Sequence, residues 1–216
     1  MDGEESLLPA SRRPAGGMRK GDERRQAILD AVEQLLRERS IAELSVEDIA
    51  LSAGISRSGF YFYFESKYAA LAESLTDVFE EMIQAADAFF GGTDEPPGEY
   101  VPRALSQVAE VWARHEALVV GMFEASSTDP GARALWNGWL DRFIPAIAER
   151  IELERAEGRA LDHVPARSLA RTLLLMNERV LYDDRKRRGS PQDTASAVEA
   201  LTAVWLAAVW GERPPG

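Results

Sequence analysis

The stretch Ser45–Lys67, SVEDIALSAGISRSGFYFYFESK, constrains the fold more than any other part of this chain. Ser45, Ser56 and Ser66 each stand before a short segment with helical spacing. A serine hydroxyl so placed accepts from a backbone N–H one turn on. Asp48 follows Ser45 at the spacing of a capping box. Val46, Ile49 and Ala50 give the first segment one apolar side. Gly54 can take the left-handed conformation that ends a helix sharply. The second segment, Arg57 to about Phe62, directs Arg57, Ser58, Tyr61 and Tyr63 outward, and Phe60 and Phe64, four apart, inward. Lys67 opens the third segment. A cation there opposes the helix dipole, so a nearby anion would account for it.

Two short helices joined by a tight glycine turn make a helix-turn-helix, whose second helix enters a DNA major groove. The alternative is an αα-corner with no role at DNA. The motif resembles the TetR family of one-component bacterial transcription regulators, with the pattern G-[IV]-S-[KR]-x-[TS]-[FL]-Y-x-[HY]-F-x-[SN]-K. Gly54, Ile55, Ser56, Arg57, Phe60, Tyr61, Tyr63, Phe64, Ser66 and Lys67 match it. Gly59 departs from it, standing where the family usually carries a hydroxyl residue that contacts backbone or base. Glycine removes that side chain and costs about 1 kcal/mol of helix propensity against alanine. The expected DNA-facing set is Ser45, Ser56, Arg57, Ser58, Gly59, Tyr61, Tyr63 and Lys67. Arg57 and Tyr61 or Tyr63 would reach bases, and Lys67 and the serine hydroxyls phosphate.

The formal net charge of −11 runs against a nucleic-acid partner until its distribution is considered. Residues 1–67 hold 10 Lys and Arg against 12 Asp and Glu, and the remainder 15 against 24. Within 11–30 the six basic residues Arg12, Arg13, Arg19, Lys20, Arg24 and Arg25 face three acidic ones. An acidic body carried on a locally basic head suits a DNA reader kept off nonspecific DNA. No cysteine is present, which removes disulfides, thiolate metal sites and cysteine nucleophiles. The first twenty residues carry no apolar signal region and no apolar run spans a bilayer, so a cytoplasmic protein without a membrane partner is expected.

Along the chain, residues 1–20 are rich in Pro, Gly, Ser and Arg and read as a disordered arm. Arg12 to Lys20 could reach a minor groove or simply solubilise. Asp22 to Arg39 is the first firm helix, with Ile28, Val32, Leu35 and Leu36 as its apolar stripe. Lys67 to Phe90 reads as one long helix with two adjacent stripes that include Phe79, Met82, Phe89 and Phe90. Gly91 to Gly98 breaks the pattern. Further helices are expected from about Tyr100, over Ala117–Ala125, over Ala132–Glu157 with a kink at Pro145, over Ala166–Arg187 and over Gln192–Val209. The expected fold is all-α with about nine helices: an arm at 1–20, a three-helix head at 21–67 and a larger ligand-binding and dimerisation body at 68–216.

In the body, Leu174, Asn177 and Leu181 share a helix face with Glu178 beside them, so an amide and a carboxylate interrupt an apolar stripe. A buried amide or charge needs a partner. For Glu178 a structural bond to an arginine or a backbone N–H is the simpler expectation. For Asn177, Trp112, Trp136, Phe143 and Trp205 on the facing stripes point to a concave apolar pocket with an oriented polar group. Met176-Asn177-Glu178-Arg179, Trp205 and Trp210-Gly211-Glu212-Arg213 look like the EthR subgroup of the family. That resemblance implies a long, mostly apolar tunnel for a small hydrophobic effector whose occupancy releases DNA. Asn177 would be its polar anchor, with Trp112, Trp136, Leu140, Phe143, Leu174, Leu181 and Trp205 as walls. Other wall positions carry Val101, Val108 and Ala146 here.

The family resemblance also implies a homodimer paired through the last two helices. Leu169, Leu173, Met176, Val180, Ala197, Val204 and Ala208 fit that, and fit an intramolecular core almost as well. No cofactor, metal or catalytic set is expected. His115 and His163, the only imidazoles, read as surface residues, and no nucleophile–base spacing or phosphate-binding glycine loop stands out. The remaining alternative is a DNA-binding regulator with a solid core and no effector.

Overall fold

A computed structural model describes residues 20–86, 95–187 and 190–211. The proposed arm, Phe89 and Phe90, and Glu212-Arg213 lie outside the described residues, apart from Lys20 at the start of the first helix. The described residues form ten helical segments: α1 Lys20–Leu36, α2 Val46–Ser52, α3 Arg57–Tyr63, α4 Lys67–Ser74, α5 Thr76–Ala85, α6 Pro97–Arg114, α7 Glu116–Thr128, α8 Pro130–Ala156, α9 Ala166–Lys186 and α10 Pro191–Trp210. Taken as one bent rod, α4 and α5 reduce these to nine.

The bend was not anticipated in the expected 67–90 helix. It sits at Leu75 (φ −86°, ψ −8°), which ends α4 and starts α5 without a side-chain cap. Beside it the Ser74 hydroxyl donates back to Ala70 O at 3.1 Å. Pro145, by contrast, lies inside α8 without ending it.

Packing forms one continuous core from Ile28 to Trp210. In the head, α1 packs on α2 and α4, and α2 on α3. In the body, α9 lies on α8 and α10, α10 on α6, and α6 on α5. Between the two, α4 touches α7 and α8, and α1 touches α7. Arg25 of α1 pairs with Glu73 of α4 while its guanidinium lies 4.7 Å from the Phe64 ring centre. At the far end of the body Arg150 and Glu154, both buried, pair at 2.6 Å. Glu154 also accepts from Arg159 at 2.7 Å, so the buried carboxylate has the extra partners it needs. His115 is half-buried rather than a surface residue, because the α6–α7 junction brings its Nε2 to 2.9 Å from Glu81 of α5. No described helix is long and apolar enough to cross a membrane.

Candidate DNA-reading surface and body cavity

The helix-turn-helix forms through its own local chemistry. Ser45 accepts from Asp48 N at 3.1 Å and Asp48 accepts from Ser45 N at 2.8 Å, closing the capping box on α2. At the other end of α2, Gly54 adopts φ +66°. Gly54 N donates to Leu51 O at 3.1 Å and Ile55 N to Ala50 O at 2.9 Å, the paired bonds of a Schellman stop. Ser56 then caps α3, accepting from Gly59 N at 3.0 Å. Phe60 and Phe64 point into the core.

The opposite side of α3 presents Arg57, Ser58 and Tyr61 to solvent, with the Arg57 guanidinium 5.9 Å from the Tyr61 ring centre. Several members of the expected set have partners within the chain. Tyr63 is half-buried against the core. The Ser45 and Ser56 hydroxyls are occupied by capping, and Ser58 Oγ lies 3.0 Å from Ser56 Oγ. A Cβ at Gly59 would stand 3.2 Å from that same Ser56 oxygen, so the glycine keeps the cap uncrowded. Phe62, which sequence reasoning left out, is 82% exposed on the same helix. Its signal was its place directly opposite Phe60 on the helix.

Lys67 needs no external anion. Its ammonium donates to Ile41 O and Leu44 O at 2.7 Å and to Ala42 O at 3.4 Å. These carbonyls belong to the connection between α1 and α2, and they offset the unfavourable position at the start of α4. Partial burial pushes the ammonium's pKa below its usual value.

In the body, every expected ligand-contacting residue lines one cavity of about 100 Å³. Trp112 comes from α6, Trp136, Leu140 and Phe143 from α8, Leu174, Asn177 and Leu181 from α9, and Trp205 from α10. Phe79 and Met82 of α5 complete it, together with Val101, Leu105 and Val108 of α6. Val101 and Val108 were expected as wall positions, whereas Phe79 and Met82 had been read only as packing stripes. Ala146 is not part of the wall; its neighbour on α8, Ile147, is. Trp136 is edge-on to Phe79 and Trp112 in the lining, and to Phe123 outside it, at centroid distances of 5.7, 6.3 and 6.1 Å.

The cavity's two polar residues are differently engaged. Asn177 Oδ1 accepts from Trp205 Nε1 at 2.9 Å. That bond assigns the amide orientation and leaves the amide N–H groups for another acceptor. Glu178 is held by Trp136, whose Nε1 donates to Oε1 at 2.8 Å, rather than by an arginine or a backbone N–H. Its second oxygen is buried without a partner. Burial pushes the carboxyl's pKa above the usual range, against the smaller opposite pull of the Trp136 bond.

Comparison with known proteins decides the family. Residues 28–73 match the family model described as bacterial regulatory proteins, tetR family, and residues 101–211 match the EthR C-terminal domain. The HTH-type transcriptional regulator EthR of Mycolicibacterium smegmatis is 36% identical over 219 residues, covering 98% of this chain and 97% of that protein. EthR of Mycobacterium tuberculosis H37Rv is 33% identical over 210 residues, covering 97% and 96%. The chain belongs to the TetR family.

As a TetR-family, EthR-like protein it is a DNA-binding transcriptional regulator and not an enzyme. Solved structures share the fold at lower identity. The fatty acid degradation regulator FadR of Bacillus halodurans superposes with a TM-score of 0.70 at 16% identity, covering 90% of this chain and 97% of that one. NalD of Pseudomonas aeruginosa gives 0.68 at 18%, covering 88% and 98%.

Proposed function

We propose that this regulator is a dimeric repressor released from its operator by a small hydrophobic effector bound in the body cavity. The head, residues 21–67, reads DNA through Arg57, Ser58, Tyr61 and Phe62, while the capping serines and Lys67 hold the reading helix in place. The observation that carries the effector reading is that one cavity wall is α5, which continues across the Leu75 bend into α4, and α4 packs on the head.

Small-molecule sites are usually larger than this cavity, roughly 300–1,000 Å³. An elongated effector must therefore part the walls, and Phe79 and Met82 move with α5. Binding is thereby tied to a displaced α5, which is the differential affinity for two states that release requires. The apolar void also weighs against a solid-core regulator.

Dimer pairing through α9 and α10 is supported by the apolar side chains they leave exposed, Leu175 at 40% and Val204 at 44%. Leu169 and Leu173 are instead buried within the chain and belong to its own core.

Footprinting of DNA upstream of the protein's own gene tests this reading. A protected twofold site is expected, lost when a hydrophobic compound that raises the protein's Tm is added. Protection that no stabilising compound relieves would leave the effector role without support, and absence of any twofold site would remove the operator role.

A further inference from the structure

Resting on the reading of the cavity as an effector site, we infer that its effector is a hydrophobic amine whose ammonium pairs with Glu178. The carboxyl lines a cavity otherwise walled by tryptophan, phenylalanine and aliphatic side chains. Oε1 is taken by the Trp136 indole, and Oε2 is buried with no hydrogen-bond partner. A buried acceptor left unmatched is costly, and a buried carboxylate without a counterion more so. Among the described residues, no lysine or arginine lines the cavity to serve as that counterion. Arg171, whose charge favours the ionised form of Glu178, is over half exposed and directed toward Asp141 at 3.9 Å.

A ligand that brings its own cation supplies what the wall lacks. Asn177, one position earlier, offers amide N–H groups that a second polar atom of the ligand can use. The same arrangement discriminates against carboxylates, since an anion beside Glu178 would either meet a like charge or force the carboxyl to stay protonated, with only the Asn177 amide to receive it. An amine enters as the charged partner and keeps Glu178 ionised; an alcohol of the same shape can make only a neutral bond.

Isothermal titration of the full-length protein with 2-phenylethylamine, 2-phenylethanol and 3-phenylpropionate tests this. The amine is expected to bind about tenfold more tightly than the alcohol, as a charge-assisted bond does relative to a neutral one, and the carboxylate weakest of the three. In Glu178→Gln the amide oxygen still accepts from Trp136, and the amine should lose its tenfold advantage over the alcohol. Equal affinity of amine and alcohol in the wild type, or a preference that survives in Glu178→Gln, overturns the amine assignment and leaves the cavity reading standing. If Glu178→Gln does not fold, the order amine, alcohol, carboxylate in the wild type decides. Failure of the folded wild type to bind any of the three overturns the cavity reading and the amine assignment with it.

Discussion

Leu36 of α1 rests directly against Gly121 of α7: a methyl group added at Gly121 would stand 3.2 Å from Leu36 Cδ1 and 3.3 Å from Cδ2. A side chain at position 121 would require Leu36 to give way by a few tenths of an ångström.

Gly121→Ala is therefore expected to act on the angle between head and body. Alanine adds about 1 kcal/mol of helix propensity, and displacing a half-buried leucine costs a similar amount, so Tm should change little. Operator affinity should fall severalfold while effector affinity is unchanged, because Gly121 does not line the cavity. Anisotropy titration with labelled operator and calorimetry with the effector read the two separately.

Lys67→Ala should destabilise the head rather than remove a phosphate contact. Hydrogen bonds to a charged group contribute about 1.5–3 kcal/mol, and the substitution leaves Ile41 O and Leu44 O without their lysine donor. Denaturant unfolding should show a loss of about 2 kcal/mol. The slope of log K against log[salt] for operator binding should stay the same; a reduction of about 0.9, one phosphate's worth, would return Lys67 to the DNA contacts.

Phe62→Ala should separate DNA reading from stability. The ring is 82% exposed, so its loss leaves Tm almost unchanged. An apolar ring on a reading helix can meet a thymine methyl, and its removal should weaken operator binding by about 1–2 kcal/mol. The loss should be confined to one position in each half-site, as measured on operator variants.

Trp205→Phe should leave Asn177 Oδ1 buried and unpaired, lowering stability by about 1–3 kcal/mol. Asn177→Leu removes the other partner. The double substitution should cost clearly less than the sum of the two, by 0.5 kcal/mol or more on the order of typical contact pairs. Additive losses would show that the indole–amide bond contributes nothing to holding α9 against α10.

Much of this molecule is written in short-range chemistry. Ser45 with Asp48, Gly54, and Ser56 with Gly59 act within a few residues of one another, so the caps, the left-handed stop and the reading helix could all be named from their order in the chain. The inward set Phe60 and Phe64 followed from helical spacing alone. The cavity was legible for a related reason: Leu174, Asn177 and Leu181 repeat along one helix face, and tryptophans at helical spacing mark facing stripes.

What spacing does not carry is the partner chosen across the fold. The sequence placed a cation at the start of α4, but the three carbonyls that hold Lys67 come from a loop more than twenty residues away. It placed Glu178 on an apolar face, but only the approach of α8 gave it the Trp136 indole and left its other oxygen unmatched. Local order alone determined the helices, their ends and their apolar faces, because those depend on bonds between near neighbours. The seat of Leu36 on Gly121 and the unmatched carboxyl were decided by tertiary packing, because each depends on which distant surfaces exclude water together.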